Sequence, residues 1–126
     1  MTKPEFSMSL NALMKTAGIT WHGTRLDQPD WSVHSHSISF TVRSLSGELE
    51  THFILNTFIE ELRFELPVLE TGRKWKRWID TSLASPDDIQ YWDQAPAIDT
   101  ADYKVEAYSI VALISPRVKG WIRENP

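Results

Sequence analysis

The chain has 126 residues, and at roughly 150 residues per domain this leaves room for one domain and excludes a two-domain enzyme. A hydrophobic content of 41% suffices for one core, while a formal charge of −4, from 13 Lys and Arg against 17 Asp and Glu with no run of like charge, argues against nucleic acid and membrane surfaces as partners. With no Cys, no apolar signal core at the N-terminus and no stretch near the roughly 20 apolar residues of a membrane span, the expectation is a soluble, cytoplasmic protein without disulfides or thiolate chemistry.

In chain order, Leu10, Leu13 and Met14 fall at i, i+3 and i+4, with Ser9 as N-cap and Gly18 as stop, so a short amphipathic helix is predicted over Ser9 to Lys15. From Ile19 the pattern changes to short β-rich runs between turn signals. Ile19 to Gly23 reads as a first strand, and Asp27-Gln28-Pro29-Asp30 as a loop. Between Ser35 and Leu45 the two sides alternate. His36, Ile38, Phe40 and Val42 form the expected core face; Ser35, Ser37, Ser39, Thr41 and Arg43 form the expected wet face. After the Ser46-Gly47 turn, Leu49 to Phe58 is apolar on both sides and reads as a central strand. Leu62 to Leu66 is a further strand ended by Pro67, and Lys74 to Leu83 follows the Thr71-Gly72 turn. Gln90 to Asp102 reads as a long irregular loop, with closing strands at Tyr103 to Val105 and Ile110 to Ile114. Seven or eight strands of this kind predict an all-β, antiparallel, Greek-key-like β-sandwich over residues 19–116, preceded by an arm with a short helix (1–18) and followed by a tail (117–126).

Candidate chemistry is sparse. The carboxylate pairs Glu60-Glu61, Asp87-Asp88 and Asp27 with Asp30 lie in turn-like segments with no apolar flank to raise a pKa, so they read as solvated charges and not as a glycosidase pair. His22, His34 and His36 offer a three-His zinc set in spacing alone. His36 continues an apolar strand face, which favours a hydrogen-bonded histidine at the core edge over a ligand. The five Gly are scattered, giving no phosphate loop, and no Gly-x-Ser-x-Gly elbow occurs. No metal and no cofactor is expected. The six Trp are the stronger lead. On a regular strand, Lys76, Trp78 and Asp80 share one side, which sets Trp78 among charges as a sugar-stacking platform. Trp31, between Asp30 and Ser32, is a second, with Asp80 or Gln28 as hydrogen-bonding neighbours. Against this stands the burial of most Trp at core edges.

Several segments, taken together, are similar to a known family. Ile19 to Gly23, Gln28-Pro29-Asp30-Trp31-Ser32 and His34 to Phe40 resemble the start of the C-terminal domain of isoamylase-type glycogen debranching enzymes, the glycogen operon protein group of the α-amylase superfamily. Asn56 stands where that family places the Asn of its Asn-Ala-x-Trp-Glu segment. Phe64-Glu65-Leu66-Pro67 repeats its Phe-Glu-Leu-Pro, and Trp75 to Thr81 with Ser85-Pro86-Asp87-Asp88-Ile89 is similar to its Trp-Arg-x-x-Asp-Thr and Ser-Pro-Asp-Asp-Ile run. Ser109 to Ile114 fits its closing strand. The chain departs from the family at Phe58-Ile59-Glu60-Glu61, where Tyr-Trp-Glu-Pro is usual.

The resemblance implies an antiparallel β-sandwich that follows a catalytic (β/α) barrel and packs on it, the catalytic carboxylates lying on barrel strands. The Asn-His-Asp and Gly-x-Arg-x-Asp segments of the barrel are absent from this chain, and Glu61-Leu62-Arg63-Phe64-Glu65 lacks both the Gly and the Asp of the second. No catalytic residue carries over. The expectation is a non-catalytic accessory sandwich of a glycogen or starch debranching system. A bare apolar patch would be met by a barrel or by a second copy in a homodimer. The competing reading is a stand-alone α-glucan-binding module using Trp31, Trp78 and Asp80.

Overall fold

A computed structural model describes residues 18–44 and 48–116. The helix expected over Ser9 to Lys15 and the tail expected over 117–126 lie outside the described residues. Within them the strands are β1 (Gly18–His22), β2 (Ser37–Arg43), β3 (Leu49–Asn56), β4 (Leu62–Glu65), β5 (Lys76–Asp80), β6 (Asp102–Val105) and β7 (Ser109–Pro116). They form a five-stranded sheet in the order β1-β2-β3-β7-β5 and a two-stranded sheet of β4 and β6. All the pairings are antiparallel. The all-β sandwich expected from the sequence is therefore present.

The core lies where the two-stranded sheet covers β3 and β7. Ile54 on β3 pairs with Val111 on β7, and both are buried against Phe64, Val105, Leu66, Trp75 and Leu113. Side chains of this kind each contribute roughly 1.5 to 3 kcal/mol on full burial. Trp75 lies in this cluster and donates its indole N–H to the Pro67 carbonyl at 2.9 Å. The Phe-Glu-Leu-Pro segment thus closes the core and also satisfies its largest polar handle.

Asn56, at the end of β3, is fully buried. Its amide group faces the carbonyls of Glu60, Val105 and Glu106 at 3.1, 3.2 and 3.1 Å, while its oxygen accepts the Phe58 amide at 2.9 Å. One side chain thereby joins the large sheet, the 57–60 turn and the end of β6. The role of this residue, noted in the sequence only through a family resemblance, is architectural.

Two expectations about faces are corrected. On β2 the inward residues are Ser39 and Thr41, both buried, whereas Ile38, Phe40 and Val42 are only half-buried on the outside. The alternation was real and its direction was inverted. Buried polar groups are tolerated where each finds a partner. Ser39 does so by donating to the Gly23 carbonyl at 3.0 Å, and Thr41 by bonding His22 and His52 at 3.3 and 2.9 Å. On β5 the regular alternation fails because the register shifts between Arg77 and Ile79. Lys76 pairs with Ile114 and Asp80 with Val111, positions on opposite faces of β7. Lys76, Trp78 and Asp80 therefore do not share a face.

Candidate functional site

The two outer faces of the sandwich differ in chemistry. On the two-stranded sheet, Arg63 pairs with Asp102 at 3.3 Å, and Lys104 lies 3.7 Å from both Glu61 and Glu106, all substantially exposed. That face is built for water. On the five-stranded sheet, register places Trp21, Phe40, Phe53 and Ala112 side by side across β1, β2, β3 and β7. The rings touch in succession, Trp21 to Phe40 at 5.0 Å and Phe40 to Phe53 at 5.2 Å, and Trp31 from the 23–36 loop lies edge-on to Trp21 at 5.4 Å. Ile38, Leu55 and Ile110 extend the apolar surface along the strands. Trp21 remains 42% exposed and Trp31 64%.

The loop that carries Asp30 and Trp31 is fixed to the sheet. Gly23 stands so close to the Gln28 carbonyl that a Cβ would lie 2.4 Å from its oxygen. The Glu65 amide donates to the Thr24 carbonyl at 2.8 Å, and the Glu65 carboxylate accepts the Leu26 amide at 2.9 Å. Further on, the carbonyl of His36 accepts both the amide and the hydroxyl of Thr57 at 2.8 Å. Asp30 accepts the Ser32 amide at 3.0 Å, and hydrogen bonds from the Ser32 backbone and hydroxyl hold its carboxyl below the usual range.

Of the residues singled out for sugar binding, Trp31 is exposed in this loop. Trp78 is half-buried and meets Trp92 edge-on, at 5.5 Å and 90°. Asp80 is buried at 4% exposure, accepting hydrogen bonds from the Ser82 amide and hydroxyl at 3.0 and 2.7 Å and from the Tyr103 hydroxyl at 2.5 Å. Trp31 rests on β1 and Trp78 belongs to β5, at the opposite edge. Four strand spacings of about 4.8 Å put β1 and β5 about 19 Å apart across the sheet. The three residues are not brought together.

The histidines are distributed in a way the sequence spacing does not convey. His34 and His36 are exposed, and His36 stacks on Phe58 at 6.0 Å, while His22 turns inward. Among the described residues no group of three His, Cys, Asp or Glu side chains is placed to hold a metal ion. His22 instead meets His52 through Thr41. Its Nδ1 accepts the Asp27 amide at 2.8 Å, so its proton sits on Nε2 and points to the Thr41 hydroxyl. That hydroxyl in turn donates to His52 Nδ1, leaving the His52 proton on Nε2, which is buried without a partner. Burial lowers the pKa of His22, an effect the Asp27 carboxylate partly offsets; it lowers that of His52 to about 3, with His22 pushing the same way. His52 escaped the sequence reading because it lies between Thr51 and Phe53 with no second ligand type nearby; only its pairing with Thr41 across β2 brings it to His22.

The sequence pattern of the family described as Isoamylase 1-3, C-terminal, matches residues 20–114, most of the chain and all seven strands in whole or in large part. The chain belongs to that family. No curated protein matches it individually. The isoamylase C-terminal segments picked out in the sequence occupy structural positions here. Phe64, Leu66 and Trp75 form core, Asn56 joins the two sheets, and the Ser85 to Ile89 segment folds back so that Ile89 bridges to Ile79 at the edge of β5.

Proposed function

We propose that the chain is a non-catalytic accessory sandwich of a glycogen or starch debranching system, which packs the outer face of its five-stranded sheet against a catalytic (β/α) barrel. The observation that carries this reading is the contrast between the two outer faces. One is laced with ion pairs, and the other presents a contiguous row of aromatic rings with two indoles standing open. An apolar patch of that kind marks an interaction surface, and exposed Trp beside half-buried Phe is the kind of aromatic cluster that anchors interfaces. Membership of an isoamylase C-terminal family supplies the kind of partner. The carboxylate pairs weighed from the sequence give no support for chemistry on this chain: Glu60, Glu61, Asp87, Asp27 and Asp30 are exposed, Asp88 is half-buried beside exposed Asp87, and the buried Asp80 is consumed by Tyr103 and Ser82.

The test is to mix the chain with an isoamylase-type enzyme truncated before its own C-terminal sandwich and to follow complex formation by sedimentation. A one-to-one complex is expected, lost in the double variant Trp21→Ser, Phe40→Ser and retained in Arg63→Ala, Asp102→Ala. Absence of a complex, or equal loss in both variants, refutes the reading.

A further inference from the structure

The start of the 23–36 loop hangs on two acceptors, and one of them titrates. Residues 25–28 form a turn closed by the Gln28 amide on the Arg25 carbonyl at 3.3 Å, with Asp27 held at a φ of 60°. That is the left-handed region, which Asp tolerates better than most residues without favouring it. Two side chains keep the turn in place: Glu65 of β4 accepts the Leu26 amide at 2.9 Å, and Nδ1 of His22 accepts the Asp27 amide at 2.8 Å. The second bond exists only while Nδ1 carries no proton.

Protonation reverses that contact. Nδ1 becomes a donor facing the Asp27 N–H, while the Asp27 carboxylate, 3.8 Å away and largely exposed, becomes the acceptor that the ring needs. The amide has to leave as the carboxylate closes in. The ring is also placed to take up a proton with the rest of the fold standing, because it lines a pocket of about 250 Å³ with Thr20, Thr41, Arg43 and Glu50, which gives water a route to it. The other charges around it are balanced or engaged. Arg43 of β2 and Glu50 of β3 lie 3.9 Å apart and offset one another, and Arg73 holds Glu50 at 3.0 Å. His52 of β3, 5.8 Å away ring to ring, is kept neutral by its burial. Arg25 on the turn is exposed, and Glu65 is occupied by the Leu26 amide. Asp27 is thus the counter-charge that selects the protonated state. Burial lowers the pKa of His22 in the closed loop, so acidification favours an open loop in which the ring is hydrated.

Movement at Asp27 reaches Trp31 over a short lever. The Gln28 carbonyl is tucked against Gly23, and Pro29, fixed in φ, leads directly into Asp30 and Trp31. The far end of the loop has no titrating clasp: the Ser35 amide bonds the Ser32 carbonyl at 3.1 Å, and the His36 carbonyl accepts the Thr57 amide.

We propose that His22 is a proton-operated latch: protonated on Nδ1, it releases the Asp27 amide, frees residues 24–31 from the sheet and withdraws Trp31 from Trp21, so that pH sets how far the end of the aromatic row stands open. The latch belongs to the chain itself and operates whether or not a barrel covers that face.

The test is a titration of the full chain from about pH 7.5 to about pH 4.5, followed by proton–nitrogen correlation NMR of the His22 ring, the Asp27 amide and the indoles of Trp31 and Trp75. One common midpoint below 6.5 is expected for His22, the Asp27 amide and Trp31, while the Trp75 indole, bonded to Pro67, stays in place. His22→Asn, whose side-chain oxygen can accept the Asp27 amide and does not titrate, should abolish the movement of Trp31. Asp27→Asn keeps the amide and removes the counter-charge, so the midpoint should move to lower pH; as an exposed substitution it tests the latch even where His22→Asn does not fold. The double variant His34→Asn, His36→Asn should leave the midpoint unchanged. The proposal is overturned if Trp31 does not follow the His22 midpoint, if its movement survives in His22→Asn, if Asp27→Asn leaves the midpoint where it was, if the double variant removes the transition, or if the Trp75 indole moves in step, which would mean that the whole fold opens.

Discussion

The chain of hydrogen bonds from the Asp27 amide through His22 and Thr41 to His52 fixes a proton count, and that count makes stability depend on pH. In the unfolded chain His52 titrates near 6.5; in the fold burial holds it neutral down to about 3. Below pH 6.5 the unfolded state therefore binds a proton that the folded state refuses, and stability falls as pH falls, with a slope approaching 1.4 kcal/mol per pH unit, on the order of one proton, until about pH 3. His22, also lowered, adds with the same sign. Above pH 6.5 neither contributes. Urea midpoints measured between pH 7.5 and pH 5, a window above most carboxylate titration, should decline with acidification in the parent and decline less in His52→Leu. Parallel pH profiles for the two proteins would show that His52 is not held neutral by the fold. His52→Leu should itself be less stable at neutral pH, because it removes the acceptor of the Thr41 hydroxyl; the comparison is of slopes, which that offset does not touch.

At the scale of elements, strand positions were legible because local alternation and turn chemistry report them. β1, β3, β4 and β6 lie within a residue or two of the runs that the sequence marks, and Pro67 ends the fourth run as a residue without an amide proton must. What alternation cannot report is an interruption of itself. The irregularity between Arg77 and Ile79 turns Asp80 inward to Tyr103 and removes it from the surface that Lys76 and Trp78 approach. Nothing in Lys-Trp-Lys-Arg-Trp-Ile-Asp marks that shift, which shows only in the pairing of β5 with β7 on one side and its bridges to Ala97 and Ile89 on the other. Of the 23–36 loop, the Asp27 to Asp30 stretch was legible as a loop, and its attachment to the sheet was not. Its rigidity depends on Gly23, whose missing Cβ admits the Gln28 carbonyl. Gly23→Ala should cost about 1 to 3 kcal/mol, the usual range for a local steric conflict that the backbone must absorb. Thermal unfolding monitored by circular dichroism checks this, and an unchanged midpoint would mean that the loop relaxes freely.

At the scale of the whole molecule, the sequence identified two unlike faces on β2 and misassigned which one turns inward. The usual assumption places apolar residues in the core, and it fails here because Ser39 and Thr41 are satisfied inside while Ile38, Phe40 and Val42 lie on a surface of the domain. Hydrophobic periodicity measures the difference between faces and not the identity of whatever covers them. The same inversion makes a prediction about the free chain. A row of rings from Trp21 through Phe40 to Phe53, with Trp31 at its end, gives each copy an apolar surface that a second copy can cover about a two-fold axis. Without a barrel the chain should therefore form a homodimer through this face. Sedimentation equilibrium should give a dimer for the parent at micromolar concentration and a monomer for Trp21→Ser, Phe40→Ser. Arg63→Ala, Asp102→Ala should leave the mass unchanged, because an exposed ion pair contributes on the order of 1 kcal/mol or less. A monomeric parent would mean that the aromatic row is stable in water as it stands, and the packing role assigned to it would lose its physical basis.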